Sequence, residues 1–157
     1  MTQAAVLLTS EGLAKLKAEL QELRTKGRAE VARAIREAQE LGMSQVDGQY
    51  EDAKNQQAFV EGRILEIEKL LERATVIDER AAHGSTVVRV GSSVTVETAA
   101  GKTLTFQIVG SAEANPAAGR ISHESPVGQA LLGRASGDVV TVTAPGGTSR
   151  MTVTAVA

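Results

Sequence analysis

Along the first 75 residues, apolar side chains recur at the spacing of a helix that buries one face. Leu13, Leu16, Leu20 and Leu23 are separated by three, four and three positions, the seam of a coiled coil. Just ahead lies Leu8-Thr9-Ser10-Glu11. Thr9 can cap the helix, Ser10 and Glu11 suit its first turn, and Leu8 with Leu13 can staple its start. Gly27 interrupts the stripe, a local cost of about 1 kcal/mol in helix propensity. Val31, Ala34, Ile35, Ala38 and Leu41 then resume it. A second stripe runs through Ala53, Gln57, Val60, Ile64, Ile67, Leu71 and Ala74 with spacings alternating between four and three. Between the stripes, Gly42-Met43-Ser44-Gln45-Val46-Asp47-Gly48-Gln49 predicts a chain reversal. A short connection favours antiparallel neighbours, so the expected element is a helical hairpin. An arm of about 28 residues, rising 1.5 Å each, reaches roughly 40 Å, and its tip stands in solvent. Dimerisation through the same stripes is the alternative; a monomer is expected.

Beyond residue 78 the period changes. Val87–Val90, Val94–Thr98, Thr103–Val109, Val139–Thr143 and Met151–Val156 read as short strands, rich in Val and Thr and partly alternating. Ala100-Gly101 and Pro145-Gly146-Gly147 supply hairpin turns. One short helix is expected over Pro126–Gly133, with Ser125 as its cap, Pro126 in its first turn and Gly133 at its end. The fold class is α+β: an N-terminal antiparallel coiled-coil hairpin over residues 1–78, then a small antiparallel β-sheet domain with a short helix over 79–157. Ala81-Ala82-His83-Gly84 reads as a linker between them.

Composition narrows the chemistry. Of 157 residues, 42% are hydrophobic but only 2% aromatic, so the core is built from Leu, Ile, Val and Ala. With no Cys there is no disulfide, thiolate nucleophile or sulfur metal site. His83 and His123, 40 residues apart, leave little for histidine-based zinc or acid–base chemistry and read as structural or surface residues. The balance leans against an enzyme. No signal peptide or apolar run of about 18 residues is found, so a soluble, cytoplasmic protein without membrane contact is expected. Residues 1–78 hold 11 of the 17 basic and 14 of the 19 acidic side chains, as expected of long solvated helices. Neither half is basic enough to grip a nucleic-acid duplex unaided.

The chain resembles the Gre-type bacterial transcript cleavage factors over nearly its whole length. The likeness starts with Leu8-Thr9-x-Glu11-Gly12-Leu13-x-Lys15-Leu16-x-x-Glu19-Leu20. It continues through Tyr50, Ala53, Lys54, Gln57, Glu61, Gly62, Arg63, Ile64 and Leu70, then Ala74-x-Val76-Ile77-Asp78. Most specific is Ile121-Ser122-x-x-Ser125-Pro126-Val127-Gly128-x-Ala130-Leu131-Leu132-Gly133, followed by Gly137-Asp138-x-Val140 and Pro145-Gly146-Gly147. The resemblance implies an FKBP-like C-terminal domain that docks on bacterial RNA polymerase, as core enzyme or elongation complex. Ser122, Ser125, Pro126 and Gly128 would form or support that docking surface. The coiled coil would enter the secondary channel, its tip segment, Gly42, Ser44, Gln45, Asp47, Gly48 and Tyr50, approaching the active site. Active members help a backtracked polymerase hydrolyse RNA, two tip acids in an Asp-x-x-Glu pattern helping to hold a second magnesium ion. The polymerase supplies the main metal site, so no cofactor of the chain's own is expected.

In register with that pattern, the tip acids fall on Met43 and Val46. Neither side chain can ligate magnesium, a hard ion that takes oxygen ligands. The reading drawn from this is a non-catalytic factor that regulates elongation by occluding the channel or competing with cleavage factors. One alternative is residual or altered metal-assisted stimulation through Asp47 and Glu51, four residues apart. Another is a structural or chaperone-like module with a different partner. Of the basic residues Arg24, Lys26, Arg28, Arg33, Arg36 and Lys54, Lys54 sits at a family basic position and is the candidate contact to the RNA 3′ end.

Overall fold

The computed structural model describes residues 4–41 and 46–157, apart from the side chains of Val46 and Asp47. The chain divides into two compact units, Leu13–Arg73 and Met1–Gly12 with Ala74–Ala157. The composition shift placed one boundary at 78/79; the structure instead groups the first 12 residues with the C-terminal part.

In the helical unit, α1 (Ser10–Glu22) runs through one turn of π-helix, Leu23–Gly27, into α2 (Arg28–Glu40), and α3 (Val46–Glu72) returns antiparallel to them. The π turn explains the interruption seen at Gly27. Leu23, Gly27 and Val31 make two successive steps of four, one residue more than a regular seam holds. The Arg28 N–H reaches back five residues to the Leu23 carbonyl and absorbs that residue without breaking the helix. Leu20, Ile64 and Ile67 are buried along the seam, with Leu16, Leu23, Val60 and Leu71 packed beside them. Nearer the tip, the buried positions are Val31, Ala38 and Ala53. Ala74, the last residue of the second stripe, lies beyond the helix in a strand.

Ion pairs line the rim of this seam. Arg63 donates from Nε and Nη2 to the two carboxylate oxygens of Glu19 at 2.6 and 3.0 Å, and from Nη1 to Glu66 at 2.9 Å. Arg28 holds Glu61 in the same forked way at 2.8 and 2.9 Å, and Arg24 pairs with Glu68. The Arg63 hydrogen bond keeps the Glu19 carboxyl below its ordinary value of 4.5, against a smaller opposing effect of burial.

The other unit holds two sheets. β1 (Val6–Leu8) pairs in parallel with β2 (Ala74–Val76), the strands that enter and leave the helical hairpin. The short helix α4 (Glu79–His83) follows, with the Asp78 carboxylate accepting from the Ala81 N–H as its cap. Five strands complete the unit: β3 (Ser93–Thr98), β4 (Thr103–Val109), β5 (Arg120–Ser122), β6 (Val139–Ala144) and β7 (Gly147–Val156), in the order β5-β4-β3-β7-β6. α5 (Pro126–Leu131) packs with them. Alternation buries Val94 and Val96 of β3 and Val140 and Val142 of β6, which meet Ile108, Leu131 and Val153 in one core. Phe106 packs against that core.

Three expectations change here. The sheet is mixed, because β4 and β5 run parallel. A 3-residue strand bounded by turns carries too little pattern to be read as one. Val87–Val90 is not a strand; Val87 makes one isolated bridge to Ala135. The segment read as the linker Ala81–Gly84 is the end of α4, with His83 exposed on it.

Gly128 sits where no side chain fits: a Cβ there would lie 2.0 Å from the Ser122 carbonyl oxygen. Gly128→Ala should destabilise the protein by about 2–4 kcal/mol through forced backbone displacement, measured by denaturant unfolding. For the Glu19–Arg63 pair, a carboxyl lowered in the folded state contributes stability above its unfolded value, lost as pH falls through the folded one. Glu19→Gln should therefore cost at most about 1 kcal/mol at pH 7, since the pair is partly exposed, and nothing measurable near pH 2. Equal losses at both pH values in thermal melts would contradict that assignment.

Candidate functional site

The tip expectations meet the structure only in part. Gly42, Met43, Ser44 and Gln45 lie outside the described residues, as do the side chains of Val46 and Asp47. The backbone is helical from Val46, so positions 47 and 51 stand one turn apart on the same face of α3. Gly48 and Glu51 are exposed, and Tyr50 is half-buried. Asp52, Ala53 and Gln56 of α3 line a shallow cleft with Ala34, Glu37 and Ala38 of α2. Among the described residues, no three His, Asp or Glu side chains are grouped closely enough to hold a metal ion.

The basic residues divide by their partners. Arg24 and Arg28 are committed to Glu68 and Glu61 of α3, and Arg33 lies 3.6 Å from Glu37 one turn on. The first two reach across to the facing arm of the hairpin, and the third stays within α2. Lys54 is exposed, and its Nζ donates to Gln57 Oε1 at 3.0 Å, a neutral acceptor that leaves its charge uncompensated.

The expected docking residues are brought together, in a tightly bonded corner. Ser125 Oγ accepts from the Gly128 N–H at 3.1 Å, capping α5, and donates to the Ser122 carbonyl at 2.7 Å. Pro126 stands at the first position of α5, where its missing N–H costs nothing. Ser122 Oγ bonds Ser111 Oγ at 2.7 Å and accepts from the Glu124 N–H. Ser122, Ser125 and Gly128 thus shape this corner chiefly through backbone contacts. His123, half-buried beside it, has its Nε2 3.7 Å from a Glu124 carboxylate oxygen.

A second polar cluster gave no signal in the sequence. The Glu113 side chain, 6% exposed, accepts from the Thr9 N–H and the Thr9 hydroxyl, both at 2.6 Å, and from Arg120 at 2.8 Å. Thr9 Oγ1 in turn accepts from the Gly12 N–H at 3.0 Å, confirming its place as the cap of α1. Glu113 lies 104 positions from Thr9, beyond the reach of any local pattern.

Known proteins resemble this chain throughout. Residues 6–76 match the family model described as "Transcription elongation factor, N-terminal", and residues 83–157 match "Transcription elongation factor, GreA/GreB, C-term". The transcription elongation factor GreA of Roseiflexus castenholzii is 51% identical over 155 residues, 98% of each chain. That of Chloroflexus aurantiacus is 52% identical over the same length and coverage. Among solved structures, GreA factor homolog 1 (Gfh1) of Thermus thermophilus is 34% identical, covering 98% of this chain and 99% of that one, with a TM-score of 0.44. The similarity to GreA overturns the expectation of a non-catalytic, channel-occluding factor. That expectation rested on two side chains at the tip, whereas half of all positions along both units agree with GreA. Among the described residues, no helix is long and apolar enough to cross a membrane. The chain belongs to the GreA/GreB family of transcription elongation factors, which are accessory factors rather than independent enzymes.

Proposed function

We propose that this chain is a transcript cleavage factor that binds bacterial RNA polymerase through the secondary channel and acts on backtracked complexes. The observation that carries the reading is the identity of 51–52% with GreA over 98% of both chains. The hairpin supplies the reach: α3 alone has 27 residues, roughly 40 Å. The mixed-sheet unit, whose FKBP-like character rests on resemblance, supplies the docking surface around α5.

The carboxylates for the reaction come from Asp47 and Glu51, because Met43 and Val46 carry no oxygen ligand. Positions one helical turn apart suit a shared ion, and Glu51 is exposed at the start of α3. Oxygen donors of this type would suit magnesium, a hard ion that would supply an activated water and charge stabilisation at the phosphoryl group when bound. Lys54, exposed one turn beyond Tyr50, is placed to meet an RNA phosphate.

Stalled, backtracked elongation complexes provide the test. Adding the protein with magnesium should shorten the RNA from its 3′ end, and Asp47→Ala should slow this at least about tenfold, the loss expected of a metal-binding carboxylate. Affinity for core polymerase should stay within twofold. Wild-type protein that binds polymerase but leaves the RNA intact would sink the proposal.

A further inference from the structure

Phe59 is the largest apolar side chain left in water among the described residues, 74% exposed on α3. It is adjacent to Val60 and off the buried seam, so the hairpin gains nothing from an aromatic ring there. The ring borders an open groove of about 610 Å³ at the π turn, floored by Leu23, Gly27, Val31 and Val60. Gly27 keeps the floor low: a Cβ there would sit in ordinary contact, 3.5 Å from Leu23 and 3.6 Å from Val60, and take up part of the groove.

The groove is not only apolar. Glu30 lies on its rim, and no basic side chain lines it. The neighbouring acids Glu37, Glu61 and Glu68 are each paired with an arginine. Glu30 makes no ion pair among the described residues, with Lys26 and Arg33 one turn to either side, so its carboxylate is open to a partner beside an exposed aromatic face and an apolar floor.

We infer that this groove receives an arginine side chain from the polymerase, its stem on the Leu23–Val60 floor and its guanidinium between the Phe59 ring and the Glu30 carboxylate. The inference rests on the polymerase-binding reading above. Arginine matches each wall. Its planar, weakly hydrated head stacks on an aromatic face and pairs with a carboxylate, and its methylenes cover apolar surface. A wholly apolar occupant would strand Glu30 without a partner at the contact, and an acidic one would be repelled by it.

Equilibrium titration of the full chain against bacterial core RNA polymerase, at two salt concentrations, tests this. Phe59→Ala and Glu30→Gln should each weaken binding by about three- to tenfold, the range expected of a cation–π contact and a charged pair at an interface. The double variant should lose less than the product of the two, because both side chains hold one group. Glu30→Gln should flatten the salt dependence, and Glu30→Lys should weaken binding further. Both positions are exposed, so circular dichroism should report unchanged helicity. Variants that bind within twofold of wild type would overturn the inference and leave the polymerase reading intact. So would a loss confined to Phe59→Ala with an unchanged salt slope, the mark of an apolar occupant. Wild-type protein that fails to bind polymerase would remove the functional reading and this inference with it.

Discussion

One buried carboxylate fixes where the helical hairpin begins. Glu113 is almost fully enclosed, and a carboxylate removed from water must have its oxygens satisfied. It takes both donors of Thr9 and one of Arg120, and its head fills the space above Gly12. A Cβ at Gly12 would overlap that head at 2.1 Å, so the small residue and the acid are fitted to one another. With Thr9 held, the cap of α1 is held. The parallel pairing of β1 with β2 adds a second tie at the same place, since Leu8 is wholly buried and its carbonyl accepts from the Ile77 N–H at 2.8 Å.

Within the hairpin, sequence charge is spent on cohesion before it is spent on recognition. Arg24, Arg28 and Arg63 each reach across the seam to an acid. Individually such exposed pairs contribute little, but they commit these arginines to the facing arm. Among the described residues, several other charges of the hairpin make no such pair; Lys54 lies towards the tip, and Glu30 beside Phe59 at the π turn.

The tip shows how a local reading can mislead. Met43 and Val46 have no ligand chemistry, and that fact stands; the conclusion of a non-catalytic factor did not survive comparison of the whole chain. Two positions are a narrow basis for a conclusion that similarity along both units outweighs. The seam, Thr9 as a cap, the hairpin pairing of β3 with β4, and α5 with its Ser125 cap were all legible because each depends on neighbours within a few residues. β1, β2 and β5 were not, since strands of three residues carry no period of their own.

By itself, then, the sequence determined the elements whose physics is local: heptads that need a partner face, alternating Val and Thr, and caps where donors would otherwise go unmet. It also determined the family, through motifs spread along nearly the whole chain. Only the tertiary structure decided that residues 1–12 join the C-terminal unit, that the sheet is mixed, and that Glu113 closes the root of α1. It also placed Phe59, Gly27 and Glu30 around one groove. These depend on groups brought together from distant parts of the chain, such as the 104 positions between Thr9 and Glu113, or across the two arms of the hairpin. Burial and charge pairing act on that proximity in space, and no sequence period records it.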